Sequence, residues 1–132
     1  MSDMFKKETF TIYGNKIIIS KNKYEIIGTT VTKFHTNIRG WGWGWGCGYV
    51  IVGPNHPAFG LEYPEEVSVH GGITFSQELK DGEFNGIYAE HGWIFGFDTG
   101  HYNDSIKSCS KRYVISETLS LAKQMEKYGE IY

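Results

Sequence analysis

His56 in Asn-His-Pro, His70 in Val-His-Gly-Gly and His101 in Thr-Gly-His-Tyr-Asn-Asp each stand beside a glycine or proline. Polar groups next to chain breakers are candidates for a site built on loops. Asp98 and Asp104 flank His101 at steps of three. A carboxylate beside an imidazole fixes its tautomer and favours its charged form, which suits a general acid or base and equally an anion-binding imidazolium. If the segments either side of residues 76–92 pair antiparallel with Phe75 opposite Trp93, His70 falls opposite Asp98. His101 is then the second imidazole. As an enzyme, the chain would use His70 as base or acid, Asp98 to orient it, and His101 as partner across a phosphodiester bond.

Three readings of the aspartates stay open: hydrogen bonds local to a turn, contact with an organic ligand, or mixed oxygen and nitrogen ligation of a divalent metal together with His70. His-Glu-x-x-His and Cys-x-x-Cys are absent, and neither Cys47 nor Cys109 has a metal-ligating neighbour in sequence, so neither metal nor cofactor is expected. Gly-x-Ser-x-Gly and the P-loop pattern are absent too, which argues against covalent catalysis.

The run Trp41-Gly-Trp43-Gly-Trp45-Gly-Cys47-Gly-Tyr49 interleaves the largest side chain with the smallest at a period of two. In a strand the aromatic residues would share one face and the glycines would leave the other bare. Each interior glycine costs roughly 0.5–1 kcal/mol relative to alanine, so close packing or a ligand must offset the run. Either the tryptophans pack beneath a helix, or they form a stacking platform for a planar ring. Arg39, just upstream, and Lys107, Lys111 and Arg112, before and at the start of the C-terminal helix, read as solvated charges, with phosphate contact as the functional alternative.

The elements that would position these residues follow from period and turn chemistry. Thr9–Tyr13 and Lys16–Ser20 flank Gly14-Asn15 and read as a tight hairpin. Residues 24–34 are rich in β-branched residues, with Gly28 as a bulge. The Trp-Gly run continues as strand to Val52, and Pro54 and Pro57 open a loop over 53–65. Val67–Phe75 and Trp93–Asp98 read as two further strands around a polar excursion. From Ser110 to Tyr128, Val114, Thr118, Leu121 and Met125 form one helical stripe, with Ile115, Leu119 and Ala122 beside it and Gly129 as the stop. The expectation is one α+β domain over 1–132, an antiparallel meander of about six strands with the helix on one face.

At 132 residues the chain fits a single core. A formal net charge of −2 argues against duplex nucleic acid, which draws on clustered cations. There is no apolar run near the roughly 18 residues of a membrane span, and two cysteines with no apolar leader imply a cytoplasmic protein.

Cys-Gly-Tyr-Val (47–50), His56-Pro57, Val-His-Gly-Gly-Ile-Thr-Phe (69–75) and Phe-Gly-Phe-Asp-x-x-His-x-x-Asp (95–104) together resemble a family of small uncharacterised proteins of bacteriophage and bacterial genomes. The resemblance implies a phage accessory role in the host cytoplasm, of the kind that counters host defence through nucleotide signals. The leading expectation is therefore sequestration of a nucleotide-like small molecule in an aromatic, His/Asp-lined pocket. Its lining would be Trp41, Trp43, Trp45, Arg39, His56, His70, Phe75, Asp98, His101, Asp104 and Arg112. The alternatives are the phosphodiesterase above, or an interaction module or homo-oligomer using the Trp-Gly face.

Overall fold

The computed structural model describes residues 10–13, 16–19, 26–34 and 43–128. Its strands are β1 (Phe10–Tyr13), β2 (Lys16–Ile19), β3 (Ile26–Lys33), β4 (Gly46–Val52), β5 (Phe75–Phe84) and β6 (Ile87–Asp98), followed by helix α1 (Lys111–Glu126). All neighbours are antiparallel in the order β1-β2-β3-β4-β6-β5. The class is α+β with a C-terminal helix, as expected. The meander of about six strands needs correction: the body of the sheet is the four strands β3, β4, β6 and β5, with β1 and β2 as four-residue additions beyond β3. The order also departs from a meander, because β6 lies between β4 and β5. Tyr13 stands opposite Lys16, while the Gly14-Asn15 turn lies outside the described residues. The register of β3 on β4 shifts between Ile26 and Gly28, the bulge that Gly28 signalled.

Two expected elements are overturned. Residues 67–74 form no strand: Gly71 and Gly72 take φ of +70° and +84°, and Gly72 N–H donates to Val69 O at 2.8 Å. Two successive left-handed glycines turn the chain where a strand would need it extended. Residues 76–92, read as an excursion, are instead the hairpin itself. It closes at Asn85-Gly86, both with positive φ (50° and 88°), the geometry that a two-residue primed turn requires. Phe75 consequently pairs with Gly96, and Trp93 with Glu78.

Helix α1 covers one face of the sheet. Val114, Leu121, Ala122 and Met125 bury against Val31, Val50, Val52, Phe95 and Phe97, and Ser110 caps the helix by accepting from Tyr113 N–H at 3.2 Å. The hairpin covers the other face with its own tip. Phe75 and Phe84 are nine residues apart in one strand, about 30 Å if it ran straight, yet their rings stack at 5.9 Å and both meet Tyr49. The strand must therefore curl back, and Asp81, with φ of +47°, sits within the curl. The tip reaches β3, where Asn85 Nδ2 donates to Thr32 Oγ1 at 2.8 Å and Ile87 fills the space above Gly28.

This layering corrects the Trp-Gly expectation. Strand begins only at Gly46, and the face turned to the helix carries the glycines. Trp43 is 49% exposed, and Trp45 is half-buried, with Lys111 Nζ 5.6 Å from its ring centre. Trp41 lies outside the described residues. A Cβ on Gly48 would overlap Thr118 Oγ1 and come within 2.6 Å of Phe97. Gly48→Ala should therefore destabilise the fold by about 1–3 kcal/mol, as overpacking does, read as a lower urea midpoint, with partial recovery in Gly48→Ala/Thr118→Ala. An unchanged midpoint would show that the helix does not approach this closely.

Candidate functional site: two histidine–aspartate pairs at one end of the sheet

Where β6 ends, Thr99 is bonded to the start of β4 from several directions. Its N–H and its Oγ1 both donate to Gly46 O, at 3.1 and 2.7 Å, and its carbonyl accepts from Gly44 N–H at 2.7 Å. Cys109 O accepts from Trp45 N–H at 2.8 Å, so the 99–110 loop is bonded to the Trp-Gly segment at both ends. The 67–74 turn is bonded to the helix. Gln124 brackets Ser68 with two bonds of 2.8 Å, and Glu117 Oε1 accepts from His70 N–H at 2.8 Å.

These restraints fix His70. Its Nδ1 lies 2.9 Å from Tyr113 OH and its Nε2 3.0 and 3.1 Å from the two oxygens of Asp104. Cys109 Sγ is 3.9 Å from the same Nε2. Asp104 also accepts from His101 N–H at 2.9 Å. Burial works to raise the Asp104 pKa, but the His101 amide and His70 outweigh it and hold the carboxyl below its ordinary range. Burial, reinforced by nearby Asp104, pushes the Cys109 thiol up, and burial with Glu117 pushes the Tyr113 phenol up.

A second pair lies beside the first. His101 Nε2 is 3.2 Å from Asp98 Oδ1, outside hydrogen-bond geometry, and sits enclosed where a Cβ on Gly71 would overlap it. Asp98 accepts from Thr74 Oγ1 at 3.1 Å and Gly100 N–H at 2.9 Å. The two imidazole centres are 5.8 Å apart. The exposed Trp43 packs on Phe34 at 5.1 Å, and Phe34 in turn neighbours Gly100, two residues on from Asp98.

The expected pairing of His70 with Asp98 is therefore exchanged: His70 takes Asp104 and His101 takes Asp98, because residues 67–74 turn rather than pair. Trp43, Trp45, His70, Asp98, His101 and Asp104 come to this end of the sheet. Phe75 does not face the histidines, its ring turning to Tyr49 and Phe84 beneath the hairpin tip. Arg112 is exposed on the first turn of α1. Arg39 and Trp41 lie outside the described residues.

His56 is structural. It is 3% exposed, its Nε2–H donates to Met125 O at 2.7 Å near the helix C-terminus, and its Nδ1 accepts from Ala58 N–H at 2.9 Å. Cys109, Tyr113 and Glu117 were missed as site residues. The i, i+4 spacing of Tyr113 and Glu117 was the available signal, since it sets two polar groups on one stripe of α1 beside the apolar one, whereas Cys109 stands one residue before the Ser110 cap and had no such signal.

With both nitrogens of His70 engaged and the Cys109 thiol and Tyr113 phenol held protonated, the cluster suits binding and fixed orientation better than nucleophilic attack. No family model matches the chain, and neither a curated protein nor a solved structure matches it.

Two outcomes follow from the hydrogen bonding. Asp104→Ala removes the acceptor for His70 Nε2 and His101 N–H and should cost about 1–3 kcal/mol in urea unfolding, whereas Asp98→Ala, in the more exposed pair, should cost less than about 1 kcal/mol. Equal losses would mean that Asp104 is not the hub. Burial holds the His56 pKa below its ordinary 6.5. The unfolded chain then binds the proton more readily, so this contribution to stability is complete above about pH 6.5 and is lost as pH falls from there towards the depressed folded value. The urea midpoint should drop between pH 7 and 5, and His56→Gln should flatten that drop. A variant as acid-sensitive as the parent would assign the effect elsewhere.

Proposed function

We propose that the chain binds a small nucleotide-like anion at the His70–His101 end of the sheet and holds it unchanged. The observation that carries this reading is the pair of His–Asp couples set side by side, imidazole centres 5.8 Å apart, at the end of the sheet where the exposed Trp43 packs on Phe34. A protonated His101 suits a phosphate oxygen, an indole suits a base, and Lys111 over Trp45 places a cation at the same end. The resemblance to small phage proteins supports a host signalling nucleotide as the ligand class and an accessory, counter-defence role.

Phosphodiester hydrolysis is the second reading, favoured by the Asp98 carboxylate 3.2 Å from a His101 side chain that is 37% exposed. It ranks lower because acid–base hydrolysis needs two imidazoles that exchange protons with substrate, and Tyr113 and Asp104 occupy both nitrogens of His70.

Calorimetry against cyclic nucleotides and ADP-ribose isomers separates these readings when bound ligand is recovered after denaturation and chromatographed. Sequestration predicts a Kd below about 100 μM, near −5.5 kcal/mol, and full recovery of intact ligand. Trp43→Ala should weaken binding by about 1–3 kcal/mol through lost stacking. New products that disappear in His101→Ala would establish hydrolysis, and no binding across the panel would end the nucleotide reading.

A further inference from the structure

We propose that His70, Asp104 and Cys109 form a site for a thiophilic divalent cation of the zinc class. His70 Nε2 lies 3.0 Å from Asp104 Oδ1 and 3.9 Å from Cys109 Sγ, and the three donor atoms all lie within 4.8 Å of one another. Zinc bonds of about 2.0–2.3 Å place tetrahedral donors roughly 3.3–3.6 Å apart. Reaching that geometry needs N···O to open and N···S to close by a few tenths of an ångström, and O···S, which is no more than 4.8 Å, to close into the same range by side-chain rotation.

Charge and donor type select the ion. Asp104 is 7% exposed and Cys109 2% exposed, so a dication there must be neutralised by its own ligands. One carboxylate, one thiolate and a neutral imidazole do this with no charge left over. The sulfur excludes magnesium and calcium, which take oxygen ligands, and favours zinc or cobalt. The groups behind the ligands also fit. Tyr113 OH lies 2.9 Å from Nδ1, so its oxygen can accept the Nδ1 proton and leave the Nε2 lone pair for the metal, and His101 N–H holds Asp104 Oδ2 at 2.9 Å. As the metal–sulfur bond forms, the thiol proton leaves to solvent. Three protein ligands leave the fourth tetrahedral position for water or an oxygen of a ligand. The site stands whether or not an organic molecule binds beside it.

The test is titration of the full chain, stripped with a chelator, with Co²⁺ followed by absorbance. The expected result is one equivalent bound with thiolate-to-cobalt charge transfer and tetrahedral d–d bands, both erased by one equivalent of Zn²⁺ and unaffected by excess Mg²⁺. Cys109→Ser should abolish the charge-transfer band, and Cys47→Ser should retain it. Tyr113→Phe should weaken cobalt affinity about 10–100-fold, the usual cost of losing a group that orients a ligand. Circular dichroism reports whether Cys109→Ser is folded. If it is not, Asp104→Asn, which keeps the thiol, carries the test through at least a tenfold loss of affinity. No tetrahedral spectrum in the parent chain, a band that survives Cys109→Ser, or full affinity in Asp104→Asn would each overturn the proposal.

Discussion

Close approach of backbone to backbone at the start of β4 is the constraint on which the site depends. Gly44, Gly46 and Gly48 lie where a Cβ would meet Cys109 and Thr99, the Thr32 carbonyl, and Thr118 with Phe97, in that order. The 99–110 loop and the first turns of α1 can settle directly on the strand only because no side chain stands between them. That contact brings Cys109 and Tyr113 to His70. It also explains how the run tolerates its conformational cost: the described glycines are offset by packing on their bare side, while Trp43 stays exposed and Trp45 packs half-buried against the core.

Given that placement, Asp104 organises the chemistry. Its carboxylate joins the 67–74 turn, through His70, to the 99–110 loop, through the His101 amide, in a setting only 7% exposed. A buried carboxylate is costly unless fully bonded, and its depressed pKa reports that the bonds prevail over desolvation. The two histidines thereby differ in kind. His70 is held at both nitrogens and acts as a fixed post, whereas His101 keeps a side chain 37% exposed and is the imidazole a ligand can meet.

Much of the scaffold was legible in the sequence because its signals were local. The stripe Val114, Thr118, Leu121 and Met125 and the stop at Gly129 gave the helix, and Gly28 gave the bulge. The Asn85-Gly86 turn signal was equally local but went unread inside the polar 76–92 segment, and one misplaced strand moved the register by three residues. That error alone sent His70 to Asp98 instead of Asp104. Six of the expected site residues still converge, because glycine-flanked histidines and aspartates cluster at loop ends whatever the register. Tyr113 and Glu117 escaped because their role depends on which face of α1 meets the 67–74 turn, a tertiary fact that helical period narrows without deciding, and Cys109 escaped because the 99–110 loop that carries it is placed only by its bonds to β4.

The two pairs raise a question of charge. A protonated histidine beside an aspartate is neutral as a couple, so two such couples attract an anion only through the direction of their N–H dipoles, and the long-range pull must come from elsewhere. Lys107, Lys111 and Arg112 lie just before and on the first turn of α1, and Lys111 is already over the Trp45 ring. A dication held by Asp104 and the Cys109 thiolate would not alter this balance, since its ligands cancel it. What it would add is a directional, unfilled coordination position beside His101. Binding strength and ligand orientation would then have separate sources: cations of the helix start for attraction, which salt screens, and the histidine cluster for geometry, which salt leaves alone.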